Sequence, residues 1–192
     1  MQHSPLPIPD LILITPRRIG DSRGYFSEFF KESWFRAEVA DVGFVQDNQS
    51  LSAAAGTLRG LHFQLPPFAQ GKLVSCLAGA IFDVGVDIRQ GSPSFGQWAG
   101  AELSAENGRQ LWIPPGFAHG FVTLTPDTLV HYKVTSPYSA AHDRGILFDD
   151  PDIAVDWPLS GLSPVLSDKD RRLPRLRDIG PAFRYDPSGW SI

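Results

Sequence analysis

A histidine, an arginine and a lysine fall within Leu58-Arg59-Gly60-Leu61-His62-Phe63-Gln64 and Gln70-Gly71-Lys72-Leu73-Val74, each set among apolar, strand-forming neighbours. Such neighbours place ionisable groups on the walls of a folded interior rather than on a solvated helix face. An imidazole, with an ordinary pKa of about 6.5, is suited to act as a general base near neutrality. An ammonium close by is suited to hold negative charge that develops during a reaction. The same pattern also describes a surface hairpin with scattered polar residues, so the segment by itself leaves both readings open.

The elements that must position these groups read as strands. Glycine (18) and proline (17) recur between short β-rich runs, which favours a sandwich or barrel. In Ile81 to Ile88 the alternation puts Phe82, Val84, Val86 and Ile88 on one face and Asp83, Gly85 and Asp87 on the other. Further strands are expected at Lys72–Leu77, Trp98–Leu103, Gln110–Ile113, Gly120–Leu124 and Thr128–Thr135. Turn signals separate them, such as Gln90-Gly91-Ser92-Pro93 and Pro114-Pro115-Gly116. One helix is expected over about Lys31 to Asp41, where Trp34, Phe35 and Val39 share an apolar face, and a short capped turn near Ser167-Asp168-Lys169-Asp170. The tail after Pro174 reads as irregular or as packed along the surface. Evenly spaced strands with polar residues alternating inward predict a mainly β chain folded as a jelly-roll barrel with a wet interior.

A chain of 192 residues is long enough for a substantial core and is expected to form one domain, residues 1–192. A formal net charge of -4 argues against broad binding to nucleic acid or to a membrane surface, while leaving room for a local basic pocket. The single cysteine, Cys76, cannot form an intramolecular disulfide and lies in an apolar run, which points to a reducing cytoplasm. The start, Met1-Gln2-His3-Ser4-Pro5, lacks the pattern of a signal peptide, and no apolar run approaches the ~20 residues of a membrane span.

Two segments resemble the cupin signature. Pro114-Pro115-Gly116-Phe117-Ala118-His119 matches its second motif, and Gly56 followed after five residues by His62 matches the start of its first. A divalent metal needs several imidazole or carboxylate ligands on converging strands. Here Gln64 stands where metal-binding cupins carry a second histidine, and Leu65 to Gln70 contains no acid. We therefore expect no metal and no other cofactor, which leaves His62 free to act as a base.

Blocks in a fixed order make the resemblance specific. They are Gly20-Asp21-Ser22-Arg23-Gly24-Tyr25-Phe26-Ser27-Glu28, Phe44-Val45-Gln46-Asp47-Asn48, the His62 segment, Ala69-Gln70-Gly71-Lys72-Leu73-Val74 and Phe82-Asp83-Val84. Leu103 to Asn107, Gln110 to Pro114, Gly116 to Phe121 and Tyr132-Lys133 complete the set. From about Pro9 to Asp170 the chain resembles the dTDP-4-dehydrorhamnose 3,5-epimerase family, metal-free cupin-like enzymes of dTDP-L-rhamnose synthesis. The resemblance implies a cupin-like jelly roll with short N-terminal and C-terminal helices, and a homodimer with strands or N-terminal residues exchanged across the interface. It implies inversion of C3 and C5 of dTDP-4-dehydro-6-deoxyglucose.

By the same resemblance His62 is the base, Asp170 the carboxylate that orients it, Lys72 the stabiliser of the enolate and Tyr132 the proton donor. Arg23 and Arg59 resemble the guanidinium groups that hold the diphosphate, a task suited to their bidentate geometry. Glu28, Gln46 and Asn48 resemble contacts to thymine and the neighbouring sugar, with Asp47 between them and Phe26 lining the base pocket. Tyr138 matches an aromatic that stacks on thymidine, Lys169 a further binding lysine, and Asp143 falls where the family often has Glu. His119 is assigned to the sugar or its phosphate, and Asp83 is a second candidate partner for His62 or Lys72. A sibling enzyme that epimerises one carbon or isomerises the ketone, and a non-catalytic nucleotide-sugar binder, are the alternatives; retention of His62, Lys72, Tyr132 and Asp170 together argues against the binder.

Overall fold

The computed structural model describes residues 1–187 and consists of two antiparallel sheets packed face to face. One sheet runs in the order β1 (Gln2–Pro5), β2 (Ile12–Thr15), β11 (Gln110–Ile113), β7 (Lys72–Ala78), β13 (Thr128–Val134) and β5 (Gln46–Ser52). The other runs β10 (Trp98–Ser104), β8 (Ala80–Asp87), β12 (Phe117–Thr123), β6 (Leu58–Gln64) and β14 (Asp143–Gly145). The hairpin β3 (Arg18–Asp21) to β4 (Gly24–Ser27) stands apart, and β9 (Arg89–Gln90) pairs in parallel with β15 (Phe183–Arg184). This is the expected mainly β, cupin-like jelly roll. The expected strand at Gly120–Leu124 begins three residues earlier, at Phe117, because Phe117 to His119 continue the pairing with β8 after the Pro-Pro-Gly turn.

Every strand near the centre has two buried faces, so the face of β8 opposite Asp83 is covered as well as the inner one. Ile81, Val74, Cys76, Leu103, Leu111, Phe121 and Val130 meet between the sheets as an apolar plug. The opposite face of β8, with Val84 and Val86, packs outward with Leu61, Ile146, Ile153 and Leu176. The C-terminal segment therefore covers the outer face of the five-stranded sheet. Correspondingly, Ile14, Leu73 and Trp112 on the outer face of the six-stranded sheet are covered by Phe35 of the one α-helix among the described residues, α1 (Glu32–Glu38), with Phe30 and Phe44 beside it. The helix is shorter than expected, starting at Glu32 with Lys31 as its N-cap and ending before Val39. The tail after Pro174 is more regular than its sequence suggested: a 3₁₀ turn at Leu176–Asp178 buries Leu176, and β15 joins β9.

One irregularity decides what the interior looks like. His119 of β12 pairs with His62 of β6, but Phe121, two residues on, pairs with Arg59, three residues back. The extra residue in β6 is a bulge. In a regular strand Arg59 and His62 would point to opposite faces; with the bulge both line one cavity. Gly60 permits it, with φ of +129° and an approach so close that a Cβ would lie 2.5 Å from the Gly120 Cα.

Gly60→Ala is accordingly expected to cost about 2–5 kcal/mol, the sum of a left-handed backbone penalty and overpacking. Gly43→Ala, where nothing lies within 4 Å of the added methyl, is expected to be near neutral. Urea titrations of both variants check the contrast.

Candidate active site

The interior is dry at one end and polar at the other, and Tyr132 packs against the rim of the apolar plug. Beyond it the barrel opens into a cleft with two lobes of about 310 Å³ and 280 Å³. His62, Lys72, Tyr132 and Lys169 line both lobes and form the waist between them. His62 comes from the five-stranded sheet, whereas Lys72 and Tyr132 come from neighbouring strands of the six-stranded sheet. The imidazole and the phenol thus stand on facing walls.

His62 is held by a residue 108 positions away, its Nε2 lying 2.6 Å from Asp170 Oδ1. Asp170 opens a 3₁₀ turn (Asp170–Arg172), and its backbone N–H donates to the Ser167 hydroxyl, so the capped turn read from the sequence is the device that presents it. Burial alone would raise the pKa of this carboxyl. The hydrogen bond and charge of His62, the Ser167 side chain and Lys169 outweigh it and hold the carboxyl below the usual range. With Nε2 engaged, Nδ1 of His62 is the nitrogen left for a ligand.

Lys72 is buried, not a surface strand lysine, and its ammonium makes only a long hydrogen bond, 3.5 Å, to the backbone carbonyl of His62. Desolvation brings its pKa down to about 8, with Asp143 and Asp83 opposing that fall and Lys169 adding to it. Tyr132 is pushed the other way: burial raises its pKa, Arg59 works against the rise and Asp143 adds to it. Tyr132 therefore keeps its proton at neutral pH and can donate it.

Asp83 is inward and fully buried, as the alternation indicated, but its partner is neither His62 nor Lys72. Its Oδ1 lies 2.7 Å from His119 Nε2. Two His–carboxylate pairs therefore sit on adjacent strands, since His119 is the cross-strand neighbour of His62.

The remaining expected residues divide between the cleft and the surface. Gln46, Asn48, Tyr138, Asp143 and Lys169 line the first lobe, and Arg59 and His119 line the second. Asp143 and Lys169 form an ion pair, 2.5 Å, and the Tyr138 hydroxyl donates to Asp143 at 3.4 Å. Asp47, by contrast, lies on the other face of β5, with its carboxylate 2.9 Å from Lys133. Arg23, Phe26 and Glu28 are exposed on or just after the β3–β4 hairpin and line neither lobe; Arg23 is paired with Asp21. Sequence reasoning missed Ser50, Phe121 and Gln70. Ser50 could have been found, because it continues the inward series Gln46, Asn48.

Gln64, at the position of a missing metal ligand, is spent on the protein itself. Its Nε2 donates to the carbonyls of Phe68 and Pro137, and its Oε1 accepts from the N–H of Ser139. Among the described residues no group of three or more His, Cys, Asp or Glu side chains is placed to hold a metal ion. No helix among them is long and apolar enough to cross a membrane.

Residues 5–178 match the family model described as dTDP-4-dehydrorhamnose 3,5-epimerase. The chain is 60% identical over 185 residues to the dTDP-4-dehydrorhamnose 3,5-epimerase of Sinorhizobium fredii, covering 96% of this chain and 94% of that one. Among solved structures it resembles the dTDP-6-deoxy-D-glucose-3,5-epimerase of Legionella pneumophila Philadelphia 1, in complex with dTDP-4-keto-L-rhamnose, with 46% identity and a TM-score of 0.92 over 96% of this chain and 98% of that chain. It also resembles a 3'-monoepimerase from Streptomyces bikiniensis in complex with dTDP-quinovose, at 34% identity and a TM-score of 0.82 over 90% of this chain and 87% of that chain. The fold is thus common to enzymes of double and single epimerisation.

The low pKa of Asp170 has a consequence for stability. A carboxyl depressed in the folded state contributes stability that is fully present above its unfolded value, about 3.9, and lost as pH falls through the lower folded value. Asp170→Asn is therefore expected to be less stable than wild type at pH 7. The gap should close progressively below about pH 4, as paired urea titrations across that range would record.

Proposed function

The chain belongs to the dTDP-4-dehydrorhamnose 3,5-epimerase family, and from that membership we propose how its cleft carries the reaction. The activity is epimerisation at C3 and C5 of dTDP-4-dehydro-6-deoxy-D-glucose to dTDP-4-dehydro-L-rhamnose, in dTDP-L-rhamnose biosynthesis. Both carbons flank the C4 ketone, so loss of either proton gives an enolate delocalised onto the same oxygen. A site for this chemistry has to supply a base, a cation or donor at that oxygen, and an acid on the opposite face of the ring.

His62 Nδ1 removes each proton, and Asp170 fixes the ring and stabilises the imidazolium that forms, as a carboxylate does for the histidine of a hydrolase triad. Lys72, as ammonium, holds the enolate oxygen. Tyr132 returns a proton from the other side. The observation that carries this reading is the placement of His62 on one sheet and of Tyr132 and Lys72 on the facing sheet, all at the waist of one cleft. Inversion needs base and acid on opposite faces of the sugar, and opposite walls of the barrel supply them.

Arg59 holds the diphosphate, Gln46 and Asn48 contact the nucleoside end, and Tyr138 stacks on thymine, with the Asp143–Lys169 pair closing that side. Arg23, Phe26 and Glu28 serve the cleft of a partner in a homodimer. Their exposure on a projecting hairpin, with Phe26 70% accessible, fits that role better than one in their own cleft. The chain folds as one domain and works in the cytoplasm, where the free, buried Cys76 stays reduced.

Substitution separates the base from the acid. In heavy water, His62→Ala is expected to lose both epimerisation and deuterium uptake at C3 and C5. Tyr132→Phe should still admit deuterium with configuration retained, while net epimerisation falls by about 10²–10⁴-fold. Proton NMR of the product reads both, and uptake at a single carbon in wild type would mark a monoepimerase instead. Exchange by His62→Ala, or near wild-type epimerisation by Tyr132→Phe, would overturn the roles.

The state of Lys72 sets the alkaline limb. The charged form is lost as pH rises through about 8, so kcat/KM should decline above that pH. Lys72→Arg, which does not titrate in this range, should be slower but lack that limb in a pH–rate profile.

A further inference from the structure

The second His–carboxylate pair has no part in proton removal, yet it lines the same lobe as the base. Asp83 is fully buried, one of its oxygens is bonded to His119 Nε2, and the other, Oδ2, is sealed without a partner. Nδ1 of His119 has no hydrogen bond within the described protein and is not among the sealed, unpartnered atoms. It is the atom of that pair that the cavity can reach.

We infer that Asp83 is a positioning residue that fixes His119 as the neutral tautomer with the proton on Nε2, so that Nδ1 is presented to the cleft as a hydrogen-bond acceptor for a hydroxyl of the sugar ring. The inference rests on the proposed substrate, and it narrows the role of His119 by elimination. An acceptor nitrogen needs a donor, which a sugar hydroxyl has and an ionised diphosphate or a ketone lacks. Burial pushes the pKa of the Asp83 carboxyl up; the charge and hydrogen bond of His119, and then the Lys72 ammonium, oppose that rise and favour the ionised, accepting form. His119 stays uncharged because its burial, together with Lys72 and His62, works against a positive ring, although Asp83 pulls the other way. A buried histidine set as an acceptor discriminates strongly, since a ligand without the matching hydroxyl leaves it unpaired.

The test uses the full chain labelled with nitrogen-15 at its histidines, the His119 signals being identified by their loss in His119→Gln. At pH 7 His119 should show a bare, pyridine-type Nδ1 and a protonated Nε2, and Asp83→Asn should abolish that preference. A protonated Nδ1 in wild type, whether as the other tautomer or as imidazolium, overturns the inference whatever Asp83→Asn shows. In kinetics, wild type should lose roughly tenfold to a hundredfold in kcat/KM on an analogue lacking either the C2 or the C3 hydroxyl. Asp83→Asn should lose a similar factor on the complete substrate and nothing further on that analogue, with dTDP affinity unchanged. If Asp83→Asn loses as much as wild type on removal of each hydroxyl, His119 does not serve the sugar. Failure of wild type to turn over the keto sugar would instead sink the epimerase reading, while the spectrum of the free protein would still decide the tautomer.

Discussion

An imidazole inside a β-sandwich can act as a base only if something satisfies the nitrogen that is not reacting, and here that something comes from 108 positions further along the chain. The 2.6 Å contact between His62 and Asp170 joins β6, the strand beside the sheet's β14 edge, to a turn late in the chain. Removing His62 would strand the buried Asp170 carboxylate at a cost of about 1–3 kcal/mol, so the turn is tied to the strand it serves. The C-terminal segment earns its position independently, because Ile153 and Leu176 cover the outer face of the five-stranded sheet on the way. Apolar burial brings the segment to the sheet, and the Ser167-capped turn then directs one carboxylate through the wall.

The rest of the cleft follows from how few charges the interior tolerates and how unevenly it pairs them. Asp170 is well served by His62, Ser167 and Lys169, whereas Lys72 is left almost without hydrogen bonds. An ammonium whose own partners are poor is free to respond to a new negative oxygen, and a preorganised cation in a partly dry site stabilises that charge more than it could in water. The same economy explains why Tyr132 sits against the apolar plug: contact with hydrocarbon keeps its phenol protonated.

Much of this was legible in the sequence, though unevenly. Alternation identified Asp83 as inward and gave β8, β7, β11 and β13 to within a residue or two. It did not give the partner of Asp83, because cross-strand neighbours depend on register, which no local pattern encodes. The joint appearance of Arg59 and His62 in one cavity ran against the period of two and depended on the bulge at Gly60, for which a lone glycine inside a strand was the available sign. Asp170 carried no local signal beyond the capped turn; only the family pattern linked it to a histidine 108 residues earlier. Asp47 was grouped with Gln46 and Asn48 by adjacency in the chain, although a strand sends adjacent residues to opposite sides. The covering layers were hardest to foresee, since burying both faces of a sheet removes the contrast on which periodicity depends.

The amide of Gln64 binds on both sides of Tyr138, taking the carbonyl of Pro137 and the N–H of Ser139. Its neighbours in the cleft are imidazoles, carboxylates and ammonium groups, each of which changes its hydrogen-bonding sense when a proton arrives or leaves. An amide has no such second state in water, so the loop that presents Tyr138 is clasped with the same polarity in acid and in alkali. A histidine or glutamate here could make some of these bonds only in one protonation state, and the aromatic wall would then loosen as protons came and went. Gln64 uncouples the shape of the binding surface from the proton traffic beside it.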